Sequence, residues 1–246
     1  MKTLKALLVL AFVGLAGTAS AQFANSGSSA SGSSIWTTVN TDGYNRVYVS
    51  YNPIKAKIDF PGEDDMKFQG FSVGYLRGIG LTQKLPLYLE VGAGLRYGRY
   101  KDDYSESGDD GYDTYIYTDE DKVTIFALNI PVSLVYRINV NEDFAISPNF
   151  GFDFRLNLSG KYKNERSVSY GGETESKSED CNLFDDDEMK KAELGEGWKR
   201  FQAGWHIGVG FDYKALHFGV DYGTDFNEIT EKTKVATTSV TVGYNF

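Results

Sequence analysis

Histidine is the side chain in this sequence best suited to acid–base chemistry at neutral pH, because imidazole titrates there. His206 lies within a segment of alternating apolar and polar residues. Three possible nucleophiles occupy comparable places in other segments: Ser133, Ser147 and Ser239. A serine nucleophile needs such a histidine as its base and a carboxylate, here Asp153 or Asp212, to orient the ring. No spacing in the sequence fixes this set, so we predict that the chain is not an enzyme.

Metal, cofactor and phosphate sites are also not predicted. The sequence has no glycine-rich phosphate loop, no paired cysteines and no His-Glu-x-x-His motif. Residues 100–121 contain nine acidic residues and one lysine, interleaved with tyrosines, which favours a solvated surface loop. Binding of divalent cations by these carboxylates is the functional alternative. Cys181 is the one cysteine, and a lone thiol is more often incidental than catalytic.

The first residues have the three parts of a secretory signal peptide. Lys2 and Lys5 precede an apolar run, and small residues lead to a cleavage point between Ala21 and Gln22. We therefore expect a signal peptide over residues 1–21 and a Ser/Gly-rich disordered leader over residues 22–43. Cleavage lowers the net charge from -9 to -11 by removing two lysines, which argues against nucleic acid as a partner.

Eight later segments alternate apolar and polar residues with the period of a β-strand. Aromatic residues are frequent, with 17 Tyr and 16 Phe, yet no long apolar run follows the signal peptide. The expected strands are residues 45–57, 67–81, 87–98, 122–138, 144–158, 201–213, 217–226 and 236–246.

The connections between these strands alternate between short and long. Residues 82–85, 139–143 and 214–216 are short, whereas residues 100–121 and 159–200 are long. Such alternation is typical of the turns and loops of an outer-membrane barrel. The predicted fold is therefore all-β, an eight-stranded antiparallel up-and-down transmembrane barrel over residues 44–246, with both termini in the periplasm. Residues 183–194 are expected to form at most a short helix, without a packed subdomain.

Charged and amide side chains share one face of the predicted strands. Both signs of charge would be costly against lipid, so this face must line the lumen. An eight-stranded barrel is only just wide enough for its own side chains, which predicts a polar plug in which Glu90, Asp153 or Asp221 neutralises Arg96 or Arg155. A narrow porin-like channel is the alternative. The predicted lumen network comprises Glu90, Arg96, Asn129, Arg137, Asn149, Asp153, Arg155, His206, Asp212 and Asp221, with Asp225 nearby.

The segment over residues 236–246 places Val240, Val242, Tyr244 and Phe246 on one apolar face. This pattern resembles the closing strand of bacterial outer-membrane barrels, in which a terminal aromatic residue is read by the assembly machinery. The resemblance implies that Val242, Tyr244 and Phe246 form an assembly signal.

Two neighbouring segments resemble the PorT-like, OmpA/OmpX-type outer membrane protein β-barrel domain family common in Bacteroidetes. The matching features are Ile130-Pro131, Tyr136-Arg137 and the Pro-x-x-Gly that begins at Pro148. The family implies a cell outer-membrane location, with membrane lipid, lipopolysaccharide and the barrel-assembly machinery as partners. We expect a structural or surface-interaction role with an unknown extracellular partner. The alternatives are a PorT-like secretion component and a lipid-modifying enzyme.

Overall fold

A computed structural model describes residues 42–59, 62, 64–82, 85–109 and 113–246. The predicted signal peptide, its cleavage point at Ala21 and Gln22, and most of the predicted leader lie outside the described residues. All strands in the described part of the chain belong to one antiparallel sheet. Their bounds are β1 Tyr44–Ile58, β2 Met66–Gly80, β3 Leu87–Asp109, β4 Thr114–Tyr136, β5 Ile138–Asn139, β6 Phe144–Tyr170, β7 Glu173–Asn182, β8 Phe201–Tyr213, β9 Leu216–Asp225 and β10 Thr233–Asn245.

Eight of these strands close into a ring, which confirms the predicted fold. Neighbours pair in the order β4-β3-β2-β1-β10-β9-β8-β6, and β6 also pairs with β4 to complete the circle. The two-residue strand β5 pairs only with β6, beside the turn between β4 and β6. One end of the ring carries the short connections between β2 and β3, β4 and β6, and β8 and β9, and we call it the short-turn end.

Side chains alternate between the outside and the inside of the ring because successive residues of a strand point to opposite faces. In β6, Phe150, Phe152 and Phe154 are exposed on the outside, whereas Gly151 and Arg155 are buried within. The same alternation places apolar side chains outside and polar side chains inside in every long strand of the ring. Such a surface is stable only where lipid covers the outer face.

Three ring strands continue far beyond the barrel as a second region. Residues 100–109 of β3, 114–124 of β4 and 159–170 of β6 remain paired, and β7 adds to the edge of β6. We call this four-stranded region the extended sheet and the barrel end from which it rises the extended end. The predicted long loops over residues 100–121 and 159–200 are therefore mostly strand, which corrects the sequence-based expectation.

A bulge marks the point where β6 leaves the barrel. Ala127 pairs with Asn157 but Phe126 pairs with Ser159, so one extra residue, Leu158, is inserted in β6. Such an insertion reverses the direction of every later side chain in that strand. Tyr162 consequently lies on the inner face of the extended sheet.

A short helix follows β7. Helix α1, Asp186–Lys191, begins after Asp185, whose carboxylate accepts hydrogen bonds from the backbone N–H groups of Asp187 and Glu188. Acidic residues in its first turn and two lysines in its last turn complement the helix dipole. No helix within the described ranges is long and apolar enough to cross a membrane.

The segment around α1 packs onto the extended end of the barrel, contrary to the expectation that it forms no packed unit. Leu183 and Met189 are 2 % exposed and cluster with Phe68 and Val123 from the strands, and Trp198 packs against the same cluster. We call these five residues the apolar cap. The backbone N–H of Lys199 donates to the carbonyl of Ile229 over 2.6 Å, which fastens the segment to the connection between β9 and β10.

Candidate functional site in the barrel lumen

Asp212 is the centre of a buried hydrogen-bonded cluster at the short-turn end. Ser147 Oγ donates to Asp212 Oδ2 over 3.0 Å, and Asn245 Nδ2 donates to Asp212 Oδ1 over 2.8 Å. His217 Nδ1 lies 2.8 Å from the same Oδ1 atom. Arg137 Nε is 3.8 Å from Asp212 Oδ2, too far for a hydrogen bond. This carboxylate therefore joins β6, β8, β9 and β10 at one point.

A second cluster closes the same end around Glu90. Arg46 Nη1 lies 3.0 Å from Glu90 Oε1, and the Tyr44 hydroxyl donates to the same carboxylate oxygen. The Tyr44 and Tyr88 rings meet edge to face with centroids 5.4 Å apart. The Arg137 guanidinium lies 5.7 Å from the centre of the Tyr44 ring. Aromatic rings and ion pairs together fill the cross-section here.

The centre of the lumen holds a Ser–His–Asp arrangement. His206 Nε2 lies 2.8 Å from Ser133 Oγ, and His206 Nδ1 lies 2.6 Å from Asp153 Oδ2. Asn129 Nδ2 donates to the other oxygen of Asp153 over 3.1 Å. A Cβ atom at Gly151 would lie 2.8 Å from His206 Cε1, so the ring needs a glycine beside it. These connections are those of a catalytic triad.

The surroundings of Ser133 do not suit acyl transfer. Glu90 is directly opposite Ser133 in the neighbouring strand, so its carboxylate lies on the same face of the sheet. Arg46 and Tyr44 compensate part of this charge, and what remains is unfavourable for the negative oxygen that develops when a serine attacks a carbonyl. Ser133 pairs with Glu90 on one side and with Gly151 on the other. The backbone N–H groups around it are therefore already bonded to neighbouring strands and cannot form an oxyanion hole.

Two arginines lie toward the extended end of the lumen. Arg155 forms a buried ion pair with Asp225, and Arg96 Nη2 donates to Thr237 Oγ1 over 2.8 Å. None of the three carboxylates predicted to neutralise Arg96 or Arg155, namely Glu90, Asp153 and Asp221, forms an ion pair with either arginine, although Asp153 lies near enough to Arg96 to attract it. Asp153 is hydrogen-bonded to His206, and Glu90 forms an ion pair with Arg46. Asp221 accepts a hydrogen bond from Asn149 over 3.0 Å.

The clusters surround a polar cavity of about 140 Å³. At about 10–15 Å³ each, roughly ten water molecules would fit. The side-chain oxygens of Asn52, Asn129 and Asn149 have no hydrogen-bond partner within the described protein and are suitable acceptors for such water. A separate, smaller void lies between Arg96, Arg155 and the apolar cap. Arg46 and Glu90 line the cavity toward the short-turn end, and Arg96 and Arg155 line it toward the extended end.

The family profile described as outer membrane protein beta-barrel domain matches residues 23–231. The chain belongs to this family. No curated protein matches it. One solved structure with a similar backbone is that of Ail, the attachment invasion locus protein of Yersinia pestis. It is 15% identical in sequence, with a TM-score of 0.38, and the match covers 83% of this chain and 99% of that chain. Neisserial surface protein A is 16% identical with a TM-score of 0.35, covering 83% and 100% of the two chains. The family assignment depends on the profile alone.

Sequence reasoning missed several lumen residues, among them His217 and Asn245 of the Asp212 cluster. Tyr44, Arg46 and Tyr48 were also missed; they belong to β1 and point inward, and Arg46 is 4 % exposed. The signal was present, because these positions have the parity opposite to that of the outward Val47 and Val49. Pro53 obscured it by interrupting the alternation of the segment.

The inner face of the extended sheet continues the face that lines the lumen; Tyr100 and Tyr162 pack against the apolar cap, whereas Tyr104 and Tyr170 farther out are exposed. Its six tyrosines come from three strands, and we call this surface the tyrosine face: Tyr100, Tyr104, Tyr115, Tyr117, Tyr162 and Tyr170. The Tyr104 and Tyr117 rings are 6.4 Å apart. Hydrogen bonds to Glu106 and Asp119 raise the pKa values of Tyr104 and Tyr117 respectively.

Carboxylates lie between the tyrosines of this face. Tyr117 donates to Asp119 over 3.0 Å, and Asn164 donates to the other oxygen of Asp119 over 2.6 Å. Partial burial raises the pKa of Asp119, but these hydrogen bonds and Arg166 outweigh it and hold the pKa below its ordinary value. Across the described part of the chain, no group of three or more His, Cys, Asp or Glu is arranged to hold a metal ion.

Two residues of the predicted assembly signal, Val242 and Tyr244, lie on the outer side of the barrel. Val242, Tyr244 and Phe246 are 44%, 49% and 54% exposed, respectively. Val242 pairs with Val49 of β1 and with Phe218 of β9, so it belongs to a continuous apolar row. Its role in assembly stays a prediction.

Proposed function

We propose that the protein is a non-enzymatic, non-conducting outer-membrane barrel that presents the extended sheet outside the cell for contact with external partners. One observation carries the proposal: hydrogen bonds and ion pairs cross the polar lumen and leave a cavity of about 140 Å³, whereas three of the ring strands continue beyond the ring into a tyrosine-rich sheet. The barrel supplies the anchor and the sheet supplies the contact.

Strand length supports this orientation. A membrane crossing needs about 9–11 residues of a tilted strand, which residues 126–136 of β4 provide. Residues 114–125 of the same strand then lie beyond the lipid. Short turns are periplasmic and long excursions extracellular in barrels of this class, so the short-turn end and both termini belong in the periplasm.

The tyrosine face has the composition of a contact surface. Tyrosine offers a large amphipathic area and loses little conformational entropy when it is immobilised. Asp102, Glu106 and Asp119 on this face favour a partner that is basic at the contact. The outer edges of the sheet, β7 and residues 100–109 of β3, carry many charges, which discourages indiscriminate strand pairing.

Localisation and exposure test the proposal together. We expect the protein in the outer-membrane fraction, heat-modifiable migration on gels, and cleavage within residues 100–125 or 159–182 when intact cells are treated with protease. A soluble periplasmic pool, or protection of these residues in intact cells, would contradict it.

A narrow porin is the first alternative, suggested by the polar lumen. We expect planar bilayers containing the purified protein to stay electrically silent, because paired side chains cross the narrow lumen at the Glu90 cluster and at the Arg155–Asp225 pair. Discrete single-channel openings would instead favour the porin.

A lipid-modifying or other hydrolytic enzyme is the second candidate, favoured by the Ser133–His206–Asp153 connections. The position of Glu90 opposes it. A change in the lipid A mass spectrum after gene deletion, restored by the native chain but not by Ser133→Ala, would establish it.

The remaining partners follow from the family resemblance. We propose that the barrel-assembly machinery reads Val242, Tyr244 and Phe246, and that outer-membrane lipid and lipopolysaccharide surround the apolar band. No observation in the described residues favours a PorT-like role in secretion over a surface role.

A further inference from the structure

A row of aromatic residues marks the edge of the apolar band at the extended end. Tyr51, Phe71, Tyr97 and Phe126 pair side by side through four adjacent strands, and all four are exposed on the outside of the ring. Aromatic side chains of this kind concentrate where the hydrocarbon of a membrane meets its headgroups. The next outward residues along these strands therefore lie at headgroup level.

Two cations lie in that next row, Arg99 and Lys161, beside Pro53, Gln69 and Thr124. In the register of β3, β4 and β6, Arg99, Thr124 and Lys161 form the first row, and the second row consists of Lys101, Lys122 and Lys163. We call the five cations of these two rows the basic band. The bulge at Leu158 is what turns both lysines of β6 outward, because without it Tyr162 would occupy the outer face. The band exists although the whole chain has a net charge of -9.

The second row would be unfavourable alone, since like charges directly opposite each other in a sheet repel. Carboxylates in the next outward row, farther from the aromatic row, compensate this repulsion. Glu120 Oε2 lies 2.6 Å from Lys101 Nζ, and Glu165 Oε2 lies 2.7 Å from Lys122 Nζ. These pairs leave the lysines of the second row largely neutralised by protein.

The first row has no such compensation. Arg99 and Lys161 are exposed and form no ion pair with any described residue, and they are the two cations closest to the aromatic row. An arginine and a lysine at a lipid boundary attract anionic headgroups, each by about 1 kcal/mol near the surface. Guanidinium also matches the geometry of a phosphate through paired hydrogen bonds.

A second cationic sector continues around the barrel on the far side of Gln69. Lys55 pairs with Lys67 and Lys57 pairs with Lys234, again just beyond the aromatic row and on the outer face. Lys55 has an acidic partner, Asp65, at 2.6 Å. The cations thus follow the rim of the extended end through six of the eight ring strands.

We propose that the basic band binds the phosphate groups of a phosphorylated glycolipid of the outer leaflet, with Arg99 and Lys161 as the principal contacts. The lipid's acyl chains lie against the apolar wall below Tyr97 and Phe126, and its phosphates meet the two unpaired cations. This inference depends on the proposed function, since it needs the extended end to face the outer leaflet.

Binding of bisphosphorylated lipid A to the detergent-solubilised full-length barrel tests the proposal. Native mass spectrometry measures the fraction of protein that carries the lipid. We expect the native protein to bind bisphosphorylated lipid A at least about tenfold more tightly than dephosphorylated lipid A, and added salt to reduce the difference. Arg99→Gln with Lys161→Gln should reduce binding about tenfold.

The matched control is Arg166→Gln with Lys177→Gln, which removes one arginine and one lysine from exposed positions of the extended sheet beyond both rows of the basic band and should bind as the native protein does. Heat-modifiable migration shows that each variant is folded. Equal binding of the two lipids, or native-like binding by the Arg99/Lys161 variant, would overturn the inference. So would self-association of the barrel through the band in place of lipid binding.

The two proposals fail separately. Correct fractionation with no phosphate-dependent binding removes only the lipid site, whereas a protein that is absent from the outer membrane removes the proposed function itself.

Discussion

The lumen and the extended sheet are built from the same face of the same strands, yet their polar groups have different consequences. Within the ring, Arg155 and Asp225 face each other in an enclosed space, each about 8 % exposed. Beyond the rim, Arg166 and Asp119 form a similar pair at 3.2 Å, but Arg166 is 57% exposed. Closure of the strands, rather than the residue types, decides whether a pair is structural.

The physical reason is desolvation. A buried charge has lost its water and depends on its partner, so removing that partner is costly. An exposed charge recovers its water, and its ion pair contributes little. The lumen should therefore be intolerant of single substitutions and the sheet tolerant of them, which suits an anchor and a variable contact surface respectively.

The largest contrast is expected from two matched substitutions. Arg155→Met leaves Asp225 buried and unpaired, and should lower the free energy of unfolding by about 3–5 kcal/mol. Arg166→Met should cause no measurable change. Urea unfolding of the barrel in lipid vesicles, followed by tryptophan fluorescence, measures both. Equal losses in the two variants would remove the distinction between the regions.

A smaller contrast is expected from two serines. Ser133→Ala removes the hydrogen bond to His206 Nε2 and should destabilise the barrel by about 1 kcal/mol. Ser167→Ala removes a 2.6 Å hydrogen bond to Thr118 in the extended sheet, where water can replace it. Its unfolding curve should match that of the native protein. Labelling of Ser133 by a fluorophosphonate would contradict a purely structural role.

The smallest effect concerns the ion pairs of the extended sheet. Hydrogen bonds from Lys122 and Lys163 lower the pKa of Glu165 from 4.5 to about 2. Because this pKa is depressed, the stabilising contribution is complete above pH 4.5 and is lost as the pH falls through 2. Carbon-13 NMR of the Glu165 carboxyl should show a midpoint near pH 2 that moves toward 4.5 in Lys122→Gln. An unshifted midpoint in the native protein would argue against these pairs.

The sequence predicted the eight ring strands because their outward residues repeat with period two, as in Phe150, Phe152 and Phe154. It also placed His206 and Asp153 on one face. The contacts between them were not predictable, since strand register decides which inward residues meet across the lumen, and no local pattern specifies register. From the sequence, Ser133 could therefore not be distinguished from Ser147 or Ser239 as the serine that contacts His206.

The sequence-based prediction assigned the extended sheet to loops because its apolar and polar residues do not alternate clearly. Tyr115 and Tyr117 do share a parity, but Ile116 lies between them and acidic residues follow, so hydrophobic periodicity gives no strand signal. The bulge at Leu158 added to the difficulty, since it shifts the parity of β6 where the apolar pattern ends. The alternate spacing of the tyrosines, rather than hydrophobicity, was the signal that could have identified these strands.

Scanning β6 with nitroxide spin labels at residues 146–168, in a Cys181→Ala background, tests the central claim most directly. Electron paramagnetic resonance compares accessibility to oxygen, which enriches in lipid, with accessibility to a water-soluble nickel reagent. We predict high oxygen access at positions 150, 152, 154 and 158, low access to both reagents at 151, 153 and 155, and nickel access on both faces beyond residue 164. Oxygen access that continues to residue 168, or no alternation over residues 150–157, would contradict a closed barrel that carries an exposed sheet.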